Sequence, residues 1–324
     1  MKENDLEMLA GNRILHSVVI PVYKAEACLN ELYTRVKAVM VNNSLDFEIV
    51  FVEDCGEDRS WEIIEKLCQA DSRVKGVQLG CNSGQHTAWL CGIRAAMGDI
   101  VITLDDDLQH PPEEIPKLLQ ELSRGFDVVY GTPEKERHGL LRDVASQITK
   151  IVLQGAMGMK TARNVSAFRA FRVHLRTAFN DYQGSFVSID VLLTWGTKRF
   201  TSIFVTHNER LVGKSNYTFR SLATHAFNMM TGFSVLPLQV ASMVGLFVTL
   251  FGVTALAFVL IRYFSIGGQV PGFPFLASIT TIFSGTQLLV LGIIGEYLAR
   301  MHFDIMEKPP YFVRSFIGKP KVNN

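Results

Sequence analysis

The sequence predicts an α/β fold, with a mostly parallel sheet domain followed by two transmembrane helices. Apolar strand-like runs alternate with amphipathic helix-like runs through the first half of the 324-residue chain. One of these runs, Ile100–Leu104, ends abruptly in three consecutive aspartates. Towards the C-terminus, two long stretches contain no Asp, Glu, Lys or Arg. These three observations together favour a catalytic α/β domain anchored to a membrane.

Short apolar or β-branched runs predict the strands, which are Ser17–Val22, Phe47–Val52, Val74–Leu79, Ile100–Leu104, Asp127–Tyr130 and Ser202–His207. Amphipathic runs predict the helices, which are Ala25–Val41, Arg59–Ala70, Gly84–Met97, Pro112–Arg124 and His138–Met157. Strands that alternate with helices of this length indicate βαβ units, and such units build parallel sheets.

The acidic triplet Asp105-Asp106-Asp107 lies where the fourth predicted strand meets the following helix. Open α/β sheets place ligands at the carboxyl ends of their strands. Carboxylates one residue apart can both face one hard divalent cation, which usually also binds substrate phosphates. The pattern predicts a Mg²⁺ or Mn²⁺ site at Asp105 and Asp107. The alternative interpretation is a solvated acidic turn.

Other strand ends also carry candidate ligand-binding residues. Pro21 and Tyr23 close the first strand, and Asp54 follows the second. In a parallel sheet these residues and the acidic triplet share one edge and form one crevice. Asp54 is therefore a candidate for hydrogen bonding a base or ribose, although a lone aspartate here also fits a helix cap.

The turn Asn82–His86 precedes a predicted helix and includes Gly84 and Gln85. Backbone N–H groups at a helix N-terminus favour anions. An ordinary helix cap is the alternative interpretation of this turn.

Composition supports membrane insertion. The hydrophobic fraction is 48% and the mean hydropathy is +0.19. The charge-free stretches between Arg220 and Arg262 and between Arg262 and Glu296 each exceed the roughly 20 residues that cross a bilayer. We predict spans at about Leu236–Ile261 and Phe273–Leu298. A pair of buried core helices is the alternative.

Charge predicts the orientation of these spans. The connecting loop carries one basic residue, whereas five follow the second span: Arg300, Lys308, Arg314, Lys319 and Lys321. The N-terminal segment Met1–Glu7 is acidic and does not resemble an export signal. Both termini are therefore expected in the cytoplasm. The net charge of +1 gives no case for nucleic-acid binding, and the five cysteines are expected to be reduced.

A basic loop precedes the membrane segment. Arg210 and Lys214 flank Gly213, and Ser215 follows. Arginine binds phosphate through a planar fork, so an anionic lipid headgroup is the predicted partner; snorkelling side chains are the alternative. The uncharged amphipathic stretch at 220–234 is expected in the membrane interface or as an extension of the span. Glu296 and Arg300 are expected to pair across one helical turn.

These motifs together resemble the polyprenyl-phosphate glycosyltransferases of glycosyltransferase family 2. That group includes bactoprenol glucosyltransferases, undecaprenyl-phosphate aminoarabinose transferases and dolichyl-phosphate mannose synthases. The segments that carry the resemblance are Val19–Tyr23, Glu53-Asp54, Leu104–Glu113, Arg210–Tyr217 and Gly295–Arg300. The resemblance implies a GT-A (Rossmann-like) fold and inverting transfer of a sugar from a nucleotide-sugar, expected to be a UDP-sugar, to undecaprenyl phosphate.

The chain departs from the family pattern at two places. Lys24-Ala25 stand where the family usually has Asn-Glu, and only Glu26 matches. Ala167 stands where bactoprenol glucosyltransferases commonly have an Asp that is proposed as a base, although Ser166 and Arg169 are polar neighbours. These departures leave a non-catalytic scaffold that binds nucleotide-sugars as an alternative. A processive synthase is disfavoured because the chain lacks Gln-X-X-Arg-Trp.

The predicted catalytic residues are Asp105, Asp107, Arg210 and Lys214. The predicted donor-binding residues are Pro21, Tyr23, Glu26, Asp54, Asn82, Gly84, Gln85, Asp106, Arg169 and Ser215. The predicted regions are a cytoplasmic GT-A domain (1–217), an amphipathic juxtamembrane segment (218–235), a two-helix hairpin (236–300) and a cytoplasmic tail (301–324). The family resemblance also implies a bacterial inner-membrane location and a homotetramer.

Overall fold

The computed structural model describes residues 14–133, 164–184, 186–208, 236–266, 272–306 and 308–318. The chain divides into two compact units. The first comprises Met1–Phe219 together with Pro309–Asn324, and the second comprises Arg220–Lys308.

The first unit contains an eight-stranded sheet. Its strands are β1 (Leu15–Val22), β2 (Asp46–Glu53), β3 (Val74–Leu79), β4 (Ile100–Thr103), β5 (Val128–Pro133), β6 (Arg169–Arg172), β7 (Phe200–Val205) and β8 (Val313–Ile317). Their order across the sheet is β7-β5-β6-β4-β1-β2-β3-β8. The β1–β2, β1–β4, β2–β3 and β5–β7 pairs are parallel, while β6 and β8 pair antiparallel with their neighbours. The predicted α/β class with a mostly parallel sheet is confirmed.

Helices cover both faces of this sheet. They are α1 (Leu29–Asn42), α2 (Ser60–Ala70), α3 (Gln85–Ala95), α4 (Ile115–Ser123) and α5 (Ile189–Gly196). Alternate strand residues face opposite sides, as the period of two requires. In β1, Val18 and Ile20 pack in the core beneath α1, α2 and α4, whereas Val19 packs in the core beneath α3 and α5.

Gly92 brings α3 close to the centre of the sheet. A Cβ at this position would overlap the side chains of Val19 and Val52. The small residue therefore fixes the height of α3 above β1 and β2. This placement matters because the N-terminus of α3 forms part of the candidate site.

The second unit contains two long apolar helices, α6 (Leu236–Ile266) and α7 (Phe273–Ile305). Windows at Pro237–Ala255 and Ile282–His302 are long and apolar enough to cross a membrane, and only 6% and 0% of their residues are buried. Such low burial disfavours the core-helix alternative. Within α7, Arg300 donates to Glu296 at 2.9 Å, which confirms the predicted pair.

Three elements were not predicted from the sequence: β6, β8 and α5. The first helix also begins at Leu29 rather than Ala25, and β7 covers Phe200–Val205 rather than Ser202–His207. The predicted helix His138–Met157 and the predicted juxtamembrane segment lie outside the described residues.

Candidate active site

The carboxyl ends of β1, β2 and β4 meet at one edge of the sheet and surround a cavity of about 300 Å³. Its walls are formed by Pro21, Val22, Tyr23, Asp54, Asn82, Gly84, Gln85 and Asp106. All but Val22 are predicted donor-binding residues. The parallel order of β4, β1 and β2 produces this convergence, because each strand delivers its following residues to the same edge.

Asp54 organises the turn before α3. One of its carboxylate oxygens accepts the Ser83 N–H at 2.7 Å, and the other accepts the Gly84 N–H at 2.9 Å. Burial raises the pKa of Asp54, and these two hydrogen bonds oppose the rise. The turn was predicted to offer free N–H groups to an anion, but the structure engages two of them with Asp54. The side chain therefore holds the cavity wall in place.

Each residue of the acidic triplet has its own partner. Asp105 accepts from the Gln85 amide at 2.6 Å, and Asp106 accepts from the Tyr23 N–H at 2.9 Å. Asp107 accepts from the Gln109 N–H at 3.1 Å. Burial raises the pKa of Asp105 to about 7, and the charges of Asp107 and Asp106 add to this rise. Three crowded acids thus repel one another, and one of them, Asp106, forms part of the cavity wall.

The donor set fits a hard divalent cation. Carboxylate oxygens are preferred ligands of Mg²⁺, which often binds through one or two carboxylates plus substrate phosphates. Among the residues that the structure describes, no three His, Cys, Asp or Glu side chains converge as a metal site. A cation held by Asp105 and Asp107 would therefore leave positions open for phosphate oxygens, and its charge would relieve the repulsion between the acids.

Arg169 lies beneath this site and is fully buried. It was predicted to bind the donor, but it is absent from the described cavity wall. Its guanidinium forms an ion pair with Asp190, donates to Thr103 at 3.0 Å, and lies 4.7 Å from the ring centre of Trp89. Thr103 is the last residue of β4 and faces Arg169 across the β4–β6 pair. Arg169 therefore supports the strand that carries the acids.

Other predicted residues lie apart from the cavity. The Glu26 carboxylate accepts the Arg59 N–H at 3.1 Å and pairs with its side chain at 3.5 Å, outside the cavity wall. Arg210, Lys214 and Ser215 lie outside the described residues. Ala167 contributes its carbonyl, which accepts from the Thr103 hydroxyl at 2.6 Å.

A cluster around His110 was missed by the sequence analysis. His110 is buried, and its Nε2 lies 3.4 Å from the Ser166 Oγ. Its ring centre is 5.0 Å from that of His207. Burial, assisted by His207, lowers the pKa of His110 to about 4, while Asp107 acts in the opposite direction. The residues come from three distant segments, so no local sequence signal could have joined them.

Backbone strain is concentrated at the strand ends. Lys24, Cys55 and Leu108 have left-handed φ values of 55°, 57° and 59°. They directly follow Tyr23, Asp54 and Asp107. Left-handed conformations cost non-glycine residues about 1 kcal/mol or more, and such strain clusters at functional sites. The strained bends let each strand end present its side chain to the crevice.

Comparisons with known proteins agree with this geometry. Residues 17–182 match the family described as glycosyl transferase family 2. Undecaprenyl-phosphate 4-deoxy-4-formamido-L-arabinose transferase from Pseudomonas aeruginosa is 35% identical over 306 residues, covering 94% of this chain and 90% of that protein. The protein of the same name from Aeromonas hydrophila is 35% identical over 307 residues and 94% of each chain.

Solved structures support the same fold. Glucosyl-3-phosphoglycerate synthase from Mycobacterium tuberculosis, crystallised with Mn²⁺, UDP and glucosyl-3-phosphoglycerate, gives a TM-score of 0.51 at 18% identity. The match covers 71% of this chain and 82% of that one, and it shows the GT-A fold. Because the 35% identity to the named transferases extends over nearly the whole chain, this protein belongs to glycosyltransferase family 2 and is a glycosyltransferase.

Proposed function

We propose that this protein transfers a sugar from a UDP-sugar to a polyprenyl phosphate, with inversion at the anomeric carbon. The proposed acceptor is undecaprenyl phosphate. The observation that carries the proposal is the cavity at the strand ends, whose wall includes Asp106 of the acidic triplet. It offers an aromatic ring and a buried carboxylate beside carboxylates suited to a metal–diphosphate complex. The printed names of the relatives support the lipid acceptor.

Donor binding follows from the cavity wall. Tyr23 offers an exposed ring on which a base can stack, and Asp54 fixes the turn at 82–84 behind it. Gln85 orients Asp105 through their 2.6 Å hydrogen bond. Mg²⁺ or Mn²⁺ at Asp105 and Asp107 would neutralise the diphosphate and stabilise the leaving UDP. In support, the Mycobacterium tuberculosis synthase was crystallised with Mn²⁺ and UDP.

The acceptor needs little activation. A phosphate monoester has a second pKa near 6, so it is largely ionised at pH 7. Its oxygen attacks the anomeric carbon, the bond from that carbon to the UDP oxygen breaks, and UDP leaves with the electron pair. Arg210 and Lys214 are proposed to hold the lipid phosphate and to offset the repulsion between the two anions. A base at Ala167 is then unnecessary.

The proposed location is the bacterial inner membrane, with α6 and α7 as spans and the catalytic unit on the cytoplasmic side. Undecaprenyl phosphate is a membrane lipid, so an enzyme anchored by two spans meets its acceptor at the bilayer surface. The proposal keeps the predicted region boundaries, with the catalytic domain ending at residue 217, the juxtamembrane segment at 235 and the two-helix hairpin at 300. It also keeps the predicted homotetramer.

The test is release of nucleoside diphosphate by the detergent-purified protein, with undecaprenyl phosphate, Mn²⁺ and a panel of UDP- and GDP-sugars. A nucleotide-linked 4-deoxy-4-formamido-L-arabinose enters the panel first, because the relatives are named for that sugar. We expect lipid-dependent release with one donor. Protein that binds UDP but releases nothing with any donor would instead support the scaffold alternative.

The metal assignment has its own test. Asp107→Asn is expected to lower kcat at least about 100-fold, since it removes a charged ligand next to the diphosphate. The exposed Asp181→Asn serves as a matched control and should keep full activity. The thermal midpoint of Asp107→Asn should equal or exceed that of the parent protein, because the change removes one of three crowded charges, and the midpoint of Asp181→Asn should match that of the parent. Retained turnover in Asp107→Asn would contradict this assignment.

A further inference from the structure

Lys24 occupies a backbone conformation that does not suit its side chain. Its φ of 55° is left-handed, a region in which asparagine is several-fold enriched among non-glycine residues. The backbone here gives no preference for lysine, so what the residue can do depends on the surroundings of its side chain.

The surrounding structure enforces this conformation. The N–H of Tyr23 donates to Asp106 at 2.9 Å, and the N–H of Ala25 donates to the Ser60 hydroxyl at 3.2 Å. Behind Lys24 the chain approaches Gly56 so closely that a Cβ there would lie 2.8 Å from the Lys24 nitrogen. The backbone is thus pinned on three sides, and relaxation cannot carry Lys24 away from the cavity.

The ammonium group lies beside the cavity. The Lys24 Nζ is 5.3 Å from the ring centre of Tyr23, which forms part of the cavity wall. The side chain is exposed, and no ion pair with an acid is found for it among the described residues. The neighbouring Glu26 already pairs with Arg59. Its ammonium lies over the Tyr23 ring as a cation–π contact, and its N–H groups face no acid among the described residues, so they can donate to a ligand beside that ring.

The charge balance of the cavity gives this cation a role. The described wall contains two carboxylates, Asp54 and Asp106, and no Lys or Arg. An anionic nucleotide that entered would meet these two acids and, next to Asp106 in the chain, Asp105 and Asp107. Like charges at short range disfavour binding unless cations offset them. A divalent metal supplies one such offset, and Lys24 is placed to supply another.

We infer that Lys24 is a donor-binding residue whose ammonium contacts the diphosphate of the nucleotide. This inference rests on the proposed function. The left-handed backbone at Lys24 is unfavourable for a lysine, but it places a positive charge beside the cavity wall.

The test measures binding to the full-length protein in detergent with Mn²⁺ at low salt, by calorimetry. The variants are Lys24→Asn, which suits the backbone but removes the charge, and Lys24→Arg, which keeps the charge. The exposed Lys198→Asn controls for the change in net charge. UDP and uridine are the paired ligands, because uridine lacks the phosphates.

We expect Lys24→Asn to weaken UDP binding about fivefold to tenfold, as the loss of one partly solvated charge contact implies. Uridine binding should stay within about twofold, and Lys24→Arg and Lys198→Asn should bind UDP like the parent protein. The thermal midpoint of Lys24→Asn should equal or exceed that of the parent, which excludes unfolding as the cause.

Two results would overturn the inference. Unchanged UDP affinity in Lys24→Asn would show that the charge is not used, and an equal loss for uridine would show that Lys24 only supports the Tyr23 ring. Absence of UDP binding by the parent protein would instead refute the proposed donor, so the two failures are distinguishable.

Discussion

At the scale of single residues, the buried Arg169–Asp190 pair supports the acid-bearing strand. Removing one partner of a buried ion pair leaves an uncompensated charge and costs about 3–5 kcal/mol. We expect Arg169→Met to destabilise the protein by that amount. The double variant Arg169→Met/Asp190→Leu should recover most of the loss, because no charge is left unpaired. Thermal and urea unfolding of the detergent-purified protein measure both.

A milder control tests the same network. Tyr130 donates its hydroxyl to Asp190 at 3.1 Å. Tyr130→Phe removes one hydrogen bond and no charge, so it should cost about 1 kcal/mol. A double variant at Arg169 and Asp190 that is as unstable as Arg169→Met would show that shape, rather than charge, makes the pair important.

His110 predicts a dependence of stability on pH. Its folded-state pKa is lowered to about 4, whereas an unfolded histidine titrates near 6.5. Between these values the unfolded chain binds a proton that the folded protein does not. The contribution of His110 is therefore fully present above about pH 6.5 and is lost as the pH falls towards 4.

The comparison must use variants, because Asp105 acts in the opposite direction. Its pKa is raised from 3.8 to about 7, so its unfavourable effect grows as the pH rises through that range. We expect the thermal midpoint of His110→Gln to fall less than that of the parent protein between about pH 6.5 and 4. The exposed His174→Gln should behave like the parent. Parallel curves for all three proteins would contradict the assignment.

The residues of the cavity wall could be predicted from the sequence, whereas the contacts of the buried residues around them could not. Tyr23 and Asp54 directly follow β1 and β2, and Asp106 lies three residues after β4, so the rule for parallel sheets places them without knowledge of packing. Arg169 and His110 depend on partners that are far away in the chain, such as Asp190 and His207. Such contacts arise only when the elements are packed, so the sequence could not show that Arg169 is engaged by Asp190 and Thr103 and is not part of the cavity wall.

At the scale of elements, the long apolar helices were predictable from the sequence, whereas the short strands β6 and β8 were not. Both predicted spans, about Leu236–Ile261 and Phe273–Leu298, lie within the helices α6 and α7, because charge-free runs of this length have few alternatives. By contrast, β6 has four residues and contains two arginines. Its pairing with β4 and β5 stabilises it, and this pairing cannot be predicted from the composition of so short a segment.

The C-terminal strand β8 is the second element that was missed, and it yields a prediction. It forms the edge of the sheet by pairing with β3, and Phe312, the residue just before it, packs against Gly80. Removal of residues 313–324 should cost about 2–4 kcal/mol, from several lost ladder hydrogen bonds and their contacts. It should also promote self-association, because β3 would become an open edge.

Thermal unfolding and size-exclusion chromatography measure these effects. The matched control is a chain truncated after Gly318, which keeps β8 intact. Equal stability and equal elution of the two truncated chains would show that β8 contributes nothing to the sheet.

At the scale of the whole molecule, the proposed topology can be tested with cysteine chemistry. All five native cysteines lie between Cys28 and Cys91, so the apolar hairpin contains none. Ser265→Cys lies at the end of α6, before the connecting loop, and Met301→Cys lies near the end of α7. Both positions are exposed.

A maleimide that does not cross the inner membrane should label Ser265→Cys in cells with a permeabilised outer membrane. Met301→Cys should react only after lysis, because the basic tail is expected on the cytoplasmic side. The parent protein should remain unlabelled in those cells. Labelling at Met301 without lysis would reverse the proposed orientation.

The order of synthesis gives the position of β8 a further meaning. The first unit is discontinuous, since its last strand is translated only after both apolar helices. A nascent chain therefore cannot complete its sheet until the hairpin has left the ribosome. Until β8 is translated, β3 lacks the partner that closes this side of the sheet, and an unpaired strand edge invites pairing with other chains. The completeness of the first unit therefore depends on a short segment that follows both apolar helices in the chain.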